Sequence, residues 1–108
     1  MEIIESDEYA DWIDSLKDKA SVARIEAFFQ RWEVTGIISG DIKPTSETGV
    51  AEVRFQFKRA SAYRVYFAQK QNRLVLLLNG GDKKSKSQSK DIAKAAQILE
   101  NMKQKGQW

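Results

Sequence analysis

The chain predicts an α+β fold: two N-terminal helices and a C-terminal helix packed on a mainly antiparallel sheet. Three observations carry that expectation. Apolar residues recur at helical spacing between Tyr9 and Trp32 and again between Ile92 and Met102. Between them, two segments alternate with period two and a third is apolar throughout. A run of helices, then strands, then a helix suits a sheet with helices laid on one face better than alternating β–α units. At 108 residues the chain is expected to form a single domain over 1–108.

The elements follow in order. Ile3 and Ile4 suggest a short opening strand. Ser6 is placed as an N-cap, its hydroxyl available to a free amide of the first turn, with Asp7 and Glu8 where the helix dipole favours negative charge. Tyr9, Trp12, Ile13 and Leu16 form one apolar stripe, and a polar break at Lys17-Asp18-Lys19 leads to a second helix. Its face is Val22, Ile25, Phe29 and Trp32, with Phe28 beside it, and the pair reads as an antiparallel hairpin. The aromatic stripe is read as core. Gly36 and Gly40 mark the loop that ends the helical part.

Val50–Lys58 sets Val53, Phe55 and Phe57 against Glu52, Arg54 and Gln56, and Tyr63–Ala68 sets Tyr63, Val65 and Phe67 against Arg64 and Tyr66. A turn centred on Ala60 places Phe57 opposite Tyr63, Gln56 opposite Arg64 and Arg54 opposite Tyr66. A second turn at Lys70-Gln71 brings Phe67 to Leu74, Val65 to Leu76 and Tyr63 to Leu78. Apolar residues meet throughout, as a buried face requires. Leu74–Leu78 is apolar on both faces, which suits a central strand covered on both sides. Ser89 is the expected cap of the last helix, with Asp91 in its first turn and Ile92, Ala95, Ala96, Leu99 and Met102 on its apolar face. Trp108 either docks on the core or stays exposed.

Composition narrows the chemistry. The longest apolar stretch, Leu74 to Leu78, falls far short of the roughly 20 residues a membrane span needs. The acidic start Met1-Glu2-Ile3-Ile4-Glu5 does not resemble a signal peptide. With no cysteine and no histidine, thiol chemistry, zinc–thiolate sites and histidine acid–base catalysis are excluded. A cytoplasmic protein without a metal or other cofactor and without a membrane partner is the expectation. The net charge of +3 conceals a division: residues 1–33 hold nine acids against four bases, whereas residues 34–108 hold six acids against fourteen bases. A basic half is the usual electrostatic footprint of nucleic-acid binding, and the two halves are expected to face different partners.

The polar side of the first strand pair presents Arg54, Gln56, Arg64 and Tyr66. Planar guanidinium forks suit phosphate, and a tyrosine can stack on a base or move a proton. The structural alternative pairs Arg54 with Glu52 or a helix acid and makes Tyr66 a half-buried strand residue. Lys43 and the segment Lys83-Lys84-Ser85-Lys86-Ser87-Gln88-Ser89-Lys90 flank this face. The segment follows a Gly80-Gly81 pair and precedes a helix N-terminus, which attracts anions. It lacks the glycine spacing of a P-loop.

Five ordered motifs carry a resemblance that covers most of the chain. Gly40-Asp41-Ile42-Lys43-Pro44, Gly49-Val50-Ala51-Glu52-Val53-Arg54-Phe55, Tyr63-Arg64-Val65-Tyr66-Phe67, Leu76-Leu77-Leu78-Asn79-Gly80-Gly81-Asp82-Lys83 and Gln88-Ser89-Lys90-Asp91-Ile92 together resemble RelE/HigB-type toxins of bacterial type II toxin–antitoxin systems. The similarity is greatest to the addiction module killer protein branch. The resemblance implies a RelE-like fold with a curved sheet, and a metal-free endonuclease that cuts mRNA on the ribosome by attack of a ribose 2′-hydroxyl. It also implies a cognate helix-turn-helix antitoxin, with operator DNA reached only through that complex. Under it, Arg54 and Arg64 would clamp the scissile phosphate, Tyr66 would orient a base or transfer a proton, and Lys83 would serve as general acid or base. Lys43, Gln56, Lys84 and Lys86 would contact flanking RNA. The alternative is a RelE-fold module that binds its antitoxin and assists repression without cutting RNA.

Overall fold

A computed structural model describes residues 1–58, 61–71, 73–82 and 88–108. The elements run β1 (Glu2–Glu5), α1 (Asp7–Ser15), α2 (Lys19–Thr35), β2 (Asp41–Pro44), β3 (Ala51–Lys58), β4 (Ser61–Lys70), β5 (Leu74–Asp82) and α3 (Gln88–Gln104). The sheet order is β1-β5-β4-β3-β2, with β1 parallel to β5 and the other neighbours antiparallel. The architecture is α+β, and the expected opening strand is β1. The edge strand β2 has no counterpart among the expected elements. It is only four residues long and ends in Pro44, which cannot donate to a ladder and is tolerated at an edge.

Local chemistry fixes the helix ends. Ser6 caps α1: its Oγ accepts from the Tyr9 amide at 2.9 Å and also donates to the Leu78 carbonyl of β5. One side chain thus ends a helix and ties it to the sheet. Asp18 caps α2 through the Ser21 amide, and Gly36 closes it at φ 71, a left-handed conformation that glycine adopts without a Cβ clash. The last helix starts at Gln88, so Ser89 lies inside its first turn rather than at the cap.

The helices do not share one face, contrary to the sequence expectation. On one side Tyr9, Ile13, Ile25, Phe29 and Trp32 of α1 and α2 pack on Val53, Phe55, Val65, Phe67, Val75 and Leu77. On the other, Ala95, Ile98, Leu99 and Met102 of α3 pack on Tyr66, Ala68, Leu76 and Leu78. Period-two alternation sends odd and even strand residues to opposite layers, and β5 is buried on both, as its unbroken apolar run anticipates. Trp108 docks half-buried against the α3 layer, flanked by Lys70 and Lys103 at 5.9 and 5.7 Å from its ring. Among the described residues, no helix is long and apolar enough to cross a membrane.

Both hairpin registers differ from the expected ones. Arg54 faces Arg64, Phe55 faces Tyr63 and Glu52 faces Tyr66, with an irregularity between Gln56 and Lys58. Between β4 and β5, Phe67 faces Leu77 and Tyr66 faces Asn79, which leaves Leu78 as an extra bulged residue. The turn lies further along than Lys70-Gln71: Lys70 pairs with Leu74, and Gln71 takes φ 51. The first hairpin is slipped by two residues, which keeps every side chain on its face. The second is slipped by three below the bulge, which carries Leu74, Leu76 and Leu78 to the α3 layer. Because β5 is apolar on both faces, the apolar pattern alone detects neither slip.

Candidate functional site

The observed register lines up two rows of side chains on the α3 face of the sheet. One row runs Asp41, Arg54, Arg64, Gly81 across β2, β3, β4 and β5; the next runs Lys43, Glu52, Tyr66, Asn79. Arg54 therefore stands opposite Arg64, not Tyr66, and Gln56 stands opposite Ala62, not Arg64. Two guanidinium groups across a strand pair repel unless an anion lies between them.

Glu52 supplies that anion. It is 3 % exposed, with Oε1 3.1 Å from Arg54 Nε and Oε2 3.5 Å from Arg64 Nε. Gln88 from the first turn of α3 donates to Oε2 at 3.3 Å. A carboxylate this deeply buried is held by its partners: it accepts a hydrogen bond from Arg54 Nε, whereas its contact with Arg64 Nε is an ion pair without a hydrogen bond. The structural alternative for Arg54 thus describes its contact correctly. The structure adds Arg64 as a second partner of the same carboxylate.

The bulge at Leu78 shapes the other end. It turns both Leu78 and Asn79 toward α3 and re-phases the strand, so that Gly80 faces α1 and Gly81 faces α3. A Cβ at Gly80 would collide with the Trp12 ring, and one at Gly81 would lie 2.5 Å from Asp91 Oδ2. The adjacent glycines thus admit an aromatic ring on one face and a carboxylate on the other. Asn79 Nδ2 donates to the Asp91 carbonyl at 3.1 Å, pinning the first turns of α3 over the polar row. Burial raises the Asp91 carboxyl pKa, a shift that Lys94 and Arg64 oppose.

Tyr66 lies beneath this cover, fully buried, so its ring offers no face on which a base could stack. Its hydroxyl and the Asn79 Oδ1 atom have no hydrogen-bond partner among the described residues. Burial, then the charges of Glu52 and Asp91, push the phenol up to about 12, against the pull of Arg64 and Arg54. Lys43 is exposed on β2 and Gln56 is exposed on β3. Lys83, Lys84 and Lys86 lie outside the described residues. The structure therefore brings together Arg54, Arg64 and Tyr66, with Lys43 at the edge and Gln56 one pair beyond Arg54. Asn79, Gln88 and Asp91 join the cluster without having been singled out for it. A polar Asn79 interrupting an apolar strand just before Gly80-Gly81 was the available signal.

The family profile described as "Phage derived protein Gp49-like (DUF891)" matches residues 11–100. The chain belongs to the Gp49-like family. This phage-derived family is associated with toxin–antitoxin systems, and its members are commonly their toxins. A Haemophilus influenzae protein carrying only the name "Uncharacterized protein" is 34% identical over 91 residues, covering 84% of this chain and 85% of its own length. No solved structure matches. Both polar rows of this Gp49-like chain, Asp41 through Asp91, fall inside the matched region.

Proposed function

We propose that this chain is a toxin that blocks translation as a metal-free, ribosome-dependent mRNA endonuclease of the RelE/HigB kind. The observation that carries the reading is the facing pair Arg54 and Arg64, held by one buried carboxylate. In the reaction the ribose 2′-oxygen bonds to the adjacent phosphorus as the P–O5′ bond breaks. The products are a cyclic phosphate and a 5′-hydroxyl. The 2′ proton passes to a base, and the leaving 5′-oxygen takes one up. Negative charge builds on the phosphate oxygens, where two fixed guanidinium groups stabilise it most.

Glu52 sets the spacing of the two arginines, and Arg54, the more exposed at 25% against 12%, meets the phosphate first. Tyr66, with its proton held to about pH 12, serves as a hydrogen-bond donor rather than a base once α3 lifts from it. Lys83, the residue after β5, is assigned the proton transfers. Lys43, Gln56, Lys84 and Lys86 hold flanking RNA. A cognate helix-turn-helix antitoxin neutralises the toxin in the cytoplasm and carries the pair to operator DNA.

One observation favours the non-catalytic reading, an antitoxin-binding module that assists repression: Glu52 and Asp91 balance the charge of the two arginines within the cluster. A translation assay separates the readings. Purified protein added to ribosomes translating a defined mRNA should generate new 5′ ends, and Arg64→Ala should reduce them by roughly 10²–10³-fold, the usual cost of losing one fixed donor to a transition-state anion. Intact mRNA together with tight antitoxin binding would overturn the endonuclease.

A further inference from the structure

The face of the molecule opposite the arginine row carries a second built feature. A cleft of about 510 Å³ opens between β1, α1 and α2, and Glu5, Asp14, Glu26 and Glu33 all line it. No described lysine or arginine lines it, and none of the four carboxylates makes an ion pair with a described residue. Nearby cations are turned elsewhere: Lys19 Nζ donates to the Asp14 carbonyl at 3.3 Å, and the Met1 amine donates to the Glu33 carbonyl at 3.2 Å.

Tyr9 also lines the cleft. It is only 2 % exposed, yet its hydroxyl hydrogen-bonds to no described residue. The local electrostatics match an uncompensated anionic pocket. Burial, then Glu26 and Asp14, raise the Glu5 carboxyl pKa, and burial with Glu5 and Glu26 raises the Tyr9 phenol. Ile13 and Phe29 add apolar wall beside the acids.

We propose that this cleft docks a lysine or arginine side chain presented by a basic segment of a protein partner. The aliphatic stem lies on Ile13 and Phe29, the cationic head sits among the four carboxylates, and the Tyr9 hydroxyl accepts a hydrogen bond from it. Charge complementarity selects this occupant. The chain as a whole is +3, so a basic segment is repelled by most of the surface and drawn to the acidic first 33 residues. A bound metal ion fits less well, because the described acids form no group able to hold one. The inference does not depend on the reading of the arginine row, which lies on the other face of the sheet.

The test uses the full chain and a fluorescent synthetic helical peptide with arginines along one face, beside the same peptide with glutamines in their place. The arginine peptide should bind and the glutamine peptide should not. Glu26→Gln combined with Glu33→Gln, both at exposed positions, should weaken binding about tenfold or more while leaving circular dichroism and urea stability unchanged. Tyr9→Phe should weaken it by a smaller factor. Equal binding of both peptides, or an affinity indifferent to the two glutamates, would overturn the proposal. Displacement of the peptide by magnesium at constant ionic strength would reassign the cleft to an ion.

Discussion

Tyr66 shows how one buried hydroxyl affects both stability and chemistry. Its O–H has no hydrogen-bond partner among the described residues, so Tyr66→Phe should change stability at neutral pH by no more than about 0.5 kcal/mol. Alkaline behaviour should differ sharply. Burial lifts the phenol from its ordinary 10.0 to about 12, so over that interval the unfolded chain releases a proton that the folded chain retains. Stability from this residue is complete below the ordinary value and falls as pH rises through the folded one. Urea denaturation of Tyr66→Phe should therefore show a shallower alkaline loss than the parent, with Tyr9, shifted in the same direction, supplying the remainder. An identical loss in both proteins would mean the phenol is not sealed. The arginines were legible as a pair because their alternation fixes a common face. Tyr66 was not, since alternation names a face without saying whether a helix covers it, and α3 does.

At the scale of elements, the structure depends on small polar ties between layers. Ser6 caps α1, bonds the Leu78 carbonyl at the bulge and is 5 % exposed. Ser6→Ala should cost about 2 kcal/mol, more than an exposed cap, because it strands an amide of α1 and a carbonyl of β5 together. Ser6→Thr should recover part of this, and equilibrium denaturation reads both. A cost below about 0.5 kcal/mol would show the second bond to be idle. Helix and strand existence was largely legible, because the stripes Tyr9–Leu16 and Val22–Trp32 and the alternation in Val53–Phe57 each carry one unambiguous period. Register was not. The first hairpin is shifted by two residues without changing its apolar face, the second exchanges the two faces of β5, which are both apolar, and β2, short and largely exposed, had no periodicity to betray it.

For the whole molecule, one sheet serves two unequal layers. Among the described residues, eleven aromatic pairings reinforce the α1–α2 side, and none of them involves α3, which rests on four buried side chains and the ties at its first turns. Stability therefore varies across the fold, with α3 at the low end and β4–β5 at the high end. The helix covers Tyr66 and contacts Glu52, so its local opening is the motion that would uncover the polar rows. Asn79 Nδ2, bonded to the Asp91 carbonyl at 3.1 Å, is the tie to remove. One hydrogen bond contributes about 1 kcal/mol net, so Asn79→Ala should raise hydrogen exchange of the α3 amides near Asp91 roughly fivefold. Exchange in β4 should stay unchanged, because breaking this tie frees the helix without splitting the ladder. A parallel rise in both would mean that α3 opens only when the whole sheet does. The polar rows would then be reached only through their exposed edge at Lys43 and Arg54.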